Sequence, residues 1–442
     1  MKSEFIFIPI IQPTKTAINF SYMAYLELNA GMKYLGEHEI CPEDKTWIEV
    51  DREYFLKKGK EKYRDKLVPN FLHEDLKSGK CEYVILDYSM EGYHRVNWDY
   101  ISDIFGIKKD KIFWLTSVSD ISEMNSESDV TVLFNNYWEK YTADMIIRNK
   151  GDRLGYEKGI KQQLEDISNL KIRKYHGLNY NRRPHEHRVY LLSKLKSLGL
   201  IEKTSYSWGG FNLKEEAFEE AFKESRTTAE GVWNRAAIQR KCLEGEEDLN
   251  ALKWLLASPK KQFPNEDLCI NQADNIKFDH IKECYFQIIS ETFALDTHPY
   301  VFLSEKSYKP FVSGMPFVIW GLPGSVNQLR KMEYSTFDEW INHDYDNYVD
   351  IDERFNALVK EIKRLYAIPP QQWSMMLKEM LPEIEKNLEY IRAYHNSLVQ
   401  ARLNSPWIPN KHDIINIVHK HKEKVRNVNY KANLYISSDI DR

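Results

Sequence analysis

The stretch from Phe302 to Ser325, FLSEKSYKPFVSGMPFVIWGLPGS, gathers polar groups suited to handling an anion: Ser304, Glu305, Lys306 and Lys309. A serine ahead of a helix start caps free backbone N–H groups, and a helix N-terminus favours negative charge. A lysine neutralises phosphate, and a glutamate accepts hydrogen bonds from hydroxyls. Glu291 closes the apolar run CYFQIISETF that begins at Cys284, and PFVIWG follows Gly314. Read as strand, loop, helix and strand, this order puts Glu291 and the Glu305–Lys306 pair at the carboxyl ends of a parallel sheet, where ligands of open α/β sheets bind. The plain alternative is a solvated helix start beside ordinary core.

A second cluster lies in HGLNYNRRPHEHRVYLLSKL from His176, which reads as a loop leading into an amphipathic helix with Pro184 near its first turn. Arg182 and Arg183, two arginines at a strand-to-helix turn, can grip a pyrophosphate bidentately with permanent charge; a solvated basic turn is the alternative. His185 and His187 form an HxH pair without a carboxylate signature, and neither they nor any DxD pair reads as a metal site. In CEYVILDYSMEGYHR, Asp87 ends an apolar strand, and Glu91 and His94 follow in the next loop. These are the candidates to take a proton from a hydroxyl, with Asp87 favoured over Glu91 and His94. A strand-end acid can equally cap a turn.

The order of a strand-end Glu, a polar loop, S-E-K, a short helix, a Gly and P-F-V-I-x-G resembles the donor-binding motif of the α1,3-fucosyltransferase-like glycosyltransferases. It is also similar to phage-encoded glycosyltransferase-like proteins with an E-K-x-(Y/F)-K-P and P-G-S pattern. The resemblance covers some 40 to 50 residues. It implies a GT-B-like α/β fold of two facing Rossmann-like domains, a nucleotide-sugar donor as substrate, and no cofactor, with Mg²⁺ compatible but not essential. It makes Glu291 and Glu305 contacts to sugar or ribose hydroxyls and Lys306 a contact to phosphate. It also suggests an arginine, Arg183 or Arg188, at the diphosphate. The loop between Glu291 and Glu305 is longer here than in the fucosyltransferases, and Tyr308 and Lys309 replace their usual residues. The implied acceptor is a hydroxymethylated pyrimidine (5-hydroxymethylcytosine) in phage DNA, with a bacterial glycan or lipopolysaccharide as the alternative. A noncatalytic scaffold binding sugar nucleotide or DNA is the reading from another class.

The elements that must position these residues follow from short β-branched or aromatic runs: EFIFIPI, TWIEV, CEYVILDY, KIFWLTS and VTVLFNN in the first third. Helical stretches such as AYLELNAGMKYLG intervene, and that alternation implies a mostly parallel sheet. The polar GDRLGYEKGIKQQLEDISNLK from Gly151 reads as a linking helix or hinge region. The pattern restarts with KIRKYHG, the helix RVYLLSKLKSLGL, CYFQIISETF and FVIWG. Beyond Asp352, RFNALVKEIKRLYAI and, after Pro369 and Pro370, WSMMLKEMLPEIEKNLEYIRAYHNSLVQARL read as helices. The expected domains are 1–165 on the acceptor side, 166–350 for the donor, and a helical 351–442.

Composition narrows the classes. The 62 basic and 66 acidic residues leave a net charge of −4, so a polyanion would need a local patch. Lys57, Lys58, Lys60, Lys62 and Arg64, or Lys108, Lys109 and Lys111, could supply one for DNA; a solvated face is the favoured alternative. The aromatics of NYWEKY and SYSWGGF can stack on a sugar or a base, though such residues are more often core. Five cysteines, odd in number and without a CxxC pair, read as reduced thiols. No run of ~18 apolar residues predicts a membrane span, so the expected location is cytoplasmic, that of the host if the chain is phage-encoded. Sequence leaves the oligomeric state open.

Overall fold

The computed structural model describes residues 5–11, 50–51, 83–87, 98–119, 129–134, 136–148, 153–181, 185–209, 243, 245–258, 276–295 and 300–404. The chain divides into two compact units, Met1–Lys140 with Asn396–Arg442, and Tyr141–His395.

The first unit carries β1 (Phe5–Ile11), β2 (Val50–Asp51), β3 (Tyr83–Asp87), β4 (Ile112–Thr116) and β5 (Thr131–Phe134). They form one sheet in the order β2-β1-β3-β4-β5, and every neighbouring pair is parallel. Continuous apolar runs such as YVILD and IFWLT suit strands of a parallel sheet, which is covered on both faces. The chain leaves β1 in one direction to form β2 and returns on the other side as β3. The carboxyl ends of β1 and β3 therefore flank the topological switch point, where α/β sheets open a crevice. Asp87 is the last residue of β3, in register with Pro9. Helix α1 (Trp98–Phe105) sets Trp98 edge-on to Trp114 at 4.9 Å; α2 (Tyr137–Arg148), which starts in this unit and runs on past its boundary at Lys140, has Tyr137 N–H donated to Ser117 Oγ at 3.1 Å.

The second unit holds β6 (Tyr175–Asn179), β7 (Thr204–Tyr206), β8 (Cys284–Ser290) and β9 (Phe317–Trp320) in the order β7-β6-β8-β9, again all parallel. Its switch point lies between β6 and β8. Around it run α3 (Arg153–Ser168), α4 (Glu186–Ser197), α5 (Glu246–Ala257), α6 (Phe278–Ile281), α7 (Glu305–Ser313) and α8 (Ser325–Lys331). Then follow α9 (Ile351–Ala367), α10 (Pro370–Glu379) and α11 (Leu381–Asn404), the last of which runs past the end of the unit at His395. The molecule is thus an α/β protein with parallel sheets, compatible with a Rossmann-like arrangement.

Several sequence expectations shift in detail. The segment read as a link is α3, which packs within the second unit. Tyr156 Oη donates to Val312 O at 2.7 Å, Gln163 Nε2 donates to Gly314 O at 3.2 Å, and Gly159 lies so close to the Phe278 ring that a Cβ would sit 2.2 Å from it. The strand expected at Lys171 begins at Tyr175, because Arg173 turns inward to give Nη1 to the carbonyls of Ile281 (3.1 Å) and Cys284 (2.7 Å). The segment SYSWGGF contributes β7, and its Tyr206 and Trp208 are buried, as is Tyr137 of NYWEKY, so these rings are core rather than stacking platforms. The last long helix is two: α10 starts on Pro370, whose fixed φ suits a first helical position, and α11 restarts one residue before Pro382. Among the described residues, no helix is long and apolar enough to cross a membrane.

Candidate functional site

Glu291 organises the site. It follows the fully buried strand β8, its N–H still donates to Trp320 O at 2.9 Å, and its side chain has no exposed surface. Oε1 accepts from Ser304 N–H (3.1 Å) and Ser307 Oγ–H (2.6 Å). Oε2 accepts from Thr292 N–H (2.7 Å) and Ser304 Oγ–H (2.7 Å). A buried carboxylate is tolerated when donors surround it, and four donors tie the end of β8 to the first turn of α7. The contact to sugar hydroxyls implied by the resemblance finds no open acceptor on this carboxylate; in this structure Glu291 is a positioning residue.

Helix α7 begins as its sequence dictates. Ser304 is the N-cap, its Oγ accepting from Lys306 N–H at 3.4 Å, and Gly314 closes the helix in the left-handed region at φ 65°. The Lys306 ammonium donates to Thr292 Oγ1 (3.2 Å), Ser304 Oγ (3.1 Å) and Glu305 Oε1 (2.9 Å). The pair is only partly covered, with Lys306 25% and Glu305 14% exposed. Burial alone would raise the Glu305 carboxyl, but Lys306 and Lys309 outweigh it and hold the group below the usual carboxylate range.

The loop after β6 and the start of α4 meet this helix from the other side of the switch point. Arg188 is buried and its Nη2 donates to Glu291 O at 3.2 Å. His187 donates Nε2–H to the same carbonyl at 2.7 Å; burial is the main cause that pushes its ring well below the ordinary histidine value, so it stays neutral. Trp320 Nε1 donates to His187 O at 2.9 Å. Asn179 gives its amide to Ile288 O (2.6 Å) and Ser290 Oγ (3.2 Å), and Asn181 gives its own to Asn179 Oδ1. The ends of β6 and β8 are thereby stitched together by side chains.

A cavity of about 40 Å³ remains, lined by Tyr180, Arg188, Ser290, Glu305, Lys306 and Lys309 among others. It has room for a few waters. Three cations against one carboxylate, at a helix N-terminus and a switch point, make it a setting for an oxyanion.

The structure thus brings Glu291, Ser304, Glu305, Lys306, Lys309 and Arg188 together in the second unit. Asp87 stands at the switch point of the first sheet; Glu91, His94, Arg182 and Arg183 lie outside the described residues, as does the basic run from Lys57 to Arg64. Lys109 is engaged by Asp99 (2.8 Å) and Asp129 (2.6 Å), so the Lys108–Lys111 patch is partly neutralised as a DNA surface. The rings of His185 and His187 stack at 5.8 Å, and among the described residues no group of three or more His, Cys, Asp or Glu converges as a metal site. Sequence reasoning missed Thr292 and Ser307, which complete the network, and weighed His187 only as half of an HxH pair rather than as a donor to the Glu291 carbonyl; the density of Ser and Thr around the strand-end glutamate was the available signal.

Compared with protein-family models, with curated proteins and with solved structures, the chain matches none.

Proposed function

We propose that this protein is a nucleotide-sugar-dependent glycosyltransferase of the GT-B kind, with the donor diphosphate held at the switch point of the second sheet. The observation that carries the reading is the convergence of Arg188, Lys306 and Lys309 on one cavity beside the Ser304-capped start of α7. In the transfer, an acceptor hydroxyl oxygen forms a bond to the anomeric carbon as the bond to the diphosphate oxygen breaks. The nucleoside diphosphate leaves with its charge met by the cations and the helix N-terminus, and a carboxylate base, for which the sequence offers Asp87, takes the hydroxyl proton. No metal or cofactor is called for. The acceptor class rests on the motif resemblance alone: a hydroxymethylated pyrimidine in DNA, or a bacterial glycan.

One observation favours the noncatalytic scaffold instead. Glu291 has four internal donors and Lys306 three internal acceptors, so the network is closed on itself. Turnover separates the two readings. Release of nucleoside diphosphate is measured with sugar nucleotides and either hydroxymethylcytosine-containing DNA or lipopolysaccharide. The enzyme reading expects release with one acceptor, abolished by Asp87→Asn with nucleotide binding retained. Binding without release, unchanged by Asp87→Asn, would support the scaffold.

A further inference from the structure

A second cavity lies on the outer edge of the second sheet and shares no residue with the switch-point site. The chain from Thr336 to Asn347 covers the free edge of β9. Ile319 N–H donates to Tyr345 Oη at 2.9 Å, Tyr345 donates to His343 Nδ1 at 2.8 Å, and His343 Nε2–H donates to Thr336 O at 2.8 Å. This chain of bonds fixes His343, which lines a groove of about 490 Å³, within the ~300–1,000 Å³ of small-ligand sites.

The walls are polar and held in place. Arg330 forks Asp338 through Nε (2.9 Å) and Nη2 (2.6 Å), and Arg364 is held by Glu361 through Nε (2.8 Å) and Nη2 (2.6 Å). Asn342 and Asp344 fix each other, Asn342 Nδ2 donating to Asp344 Oδ2 at 2.9 Å and Asp344 N–H donating to Asn342 Oδ1 at 2.7 Å. The half-buried Trp340 is steadied by Nε1–H donated to Glu379 Oε2 at 3.3 Å. Glu339 and Asn347 complete the polar lining.

This chemistry selects a ligand class. Both guanidinium groups already have carboxylate partners, which leaves little field for a phosphate or a polyanion. The acids do not converge on a metal position among the described residues. Amides, carboxylates and guanidinium edges offer many directional donors and acceptors for hydroxyls, and the indole offers an apolar body. Arg330, Asp338, Trp340, Asn342, Asp344 and Arg364 are already ordered by their partners, so binding costs them little further freedom.

We propose that this groove binds a neutral oligosaccharide, independently of whether the switch-point site handles a sugar nucleotide. The test is calorimetric titration of the full chain with maltotetraose, cellotetraose and chitotetraose, each against wild type, Trp340→Ala and Asn347→Ala. The expected result is binding of at least one, with Kd raised by about tenfold in each variant, the size of one lost contact. The thermal response to nucleoside diphosphates stays as in wild type. Asn347 is exposed, so its variant keeps the test meaningful if Trp340→Ala fails to fold. The proposal is overturned if none of the three sugars binds, if binding is unchanged in Asn347→Ala, or if the groove takes a heparin hexasaccharide or a lysine-rich peptide and no neutral sugar.

Discussion

Glu291 shows how far single residues could be read. Its position at the end of a buried strand was legible from CYFQIISETF, as was the capping serine ahead of Glu305 and Lys306. Its bonding was not, because three of its four donors come from residues 13 and 16 positions away, and only folding brings them to the carboxylate. Replacing the carboxylate by an amide puts an NH₂ against existing donors. Glu291→Gln is therefore expected to destabilise the protein by ~2–3 kcal/mol in urea unfolding, since buried donors lose their acceptor; an unchanged midpoint with unchanged slope would contradict the hub role. Histidines make a second prediction at this scale. Burial is the main cause that lowers His343 to about 4, partly offset by its bond to the Thr336 carbonyl. The unfolded chain takes up this proton below ~6.5 and the folded chain only near 4, so stability is full above ~6.5 and falls as pH drops through that window. His343 alone accounts for ~3 kcal/mol, and His187 acts in the same direction. Urea midpoints measured from pH 7.5 to 4.5 should decline steadily; a flat profile would argue that these rings are accessible.

At the scale of elements, the longer strands were readable because buried parallel strands are continuous apolar runs, and α9 because its apolar spacing is helical. What escaped was decided by partners distant in sequence. The three-residue β7 is held by its pairing with β6, and its Tyr206 with the nearby Trp208 resembles a surface motif until burial is known. The late start of β6 depends on Arg173 finding carbonyls over a hundred residues away. The end of α7, by contrast, is written locally in Gly314. Its φ of 65° is strained for any residue with a Cβ, and that Cβ would sit 3.3 Å from Ile384 Cγ2 on α11. Gly314→Ala is expected to cost ~1–2 kcal/mol, read as a fall in Tm, and to weaken ligand binding at α7 only if the first turn shifts with the last. A neutral effect on Tm would mean that the helix end relaxes freely.

At the scale of the molecule, both sheets place their first strand beside their third with the second outside, so each has a switch point at its strand ends. The sequence announced alternating strands and helices in both halves but not this order, which depends on which strands pair. The second sheet fills its switch point with cations, and the first puts Asp87 there. The proposed function requires the cationic switch point to hold the diphosphate of a sugar nucleotide. The most direct measurement is a thermal-shift screen of wild type and Lys306→Ala against UDP, GDP, CDP, ADP and TDP, with and without Mg²⁺. A ligand at ~100 times its Kd adds ~2.7 kcal/mol of stability. A selective rise in Tm with one diphosphate, independent of Mg²⁺ and lost in Lys306→Ala, is expected; no rise with any of the five, or a rise that Lys306→Ala leaves intact, would overturn the assignment.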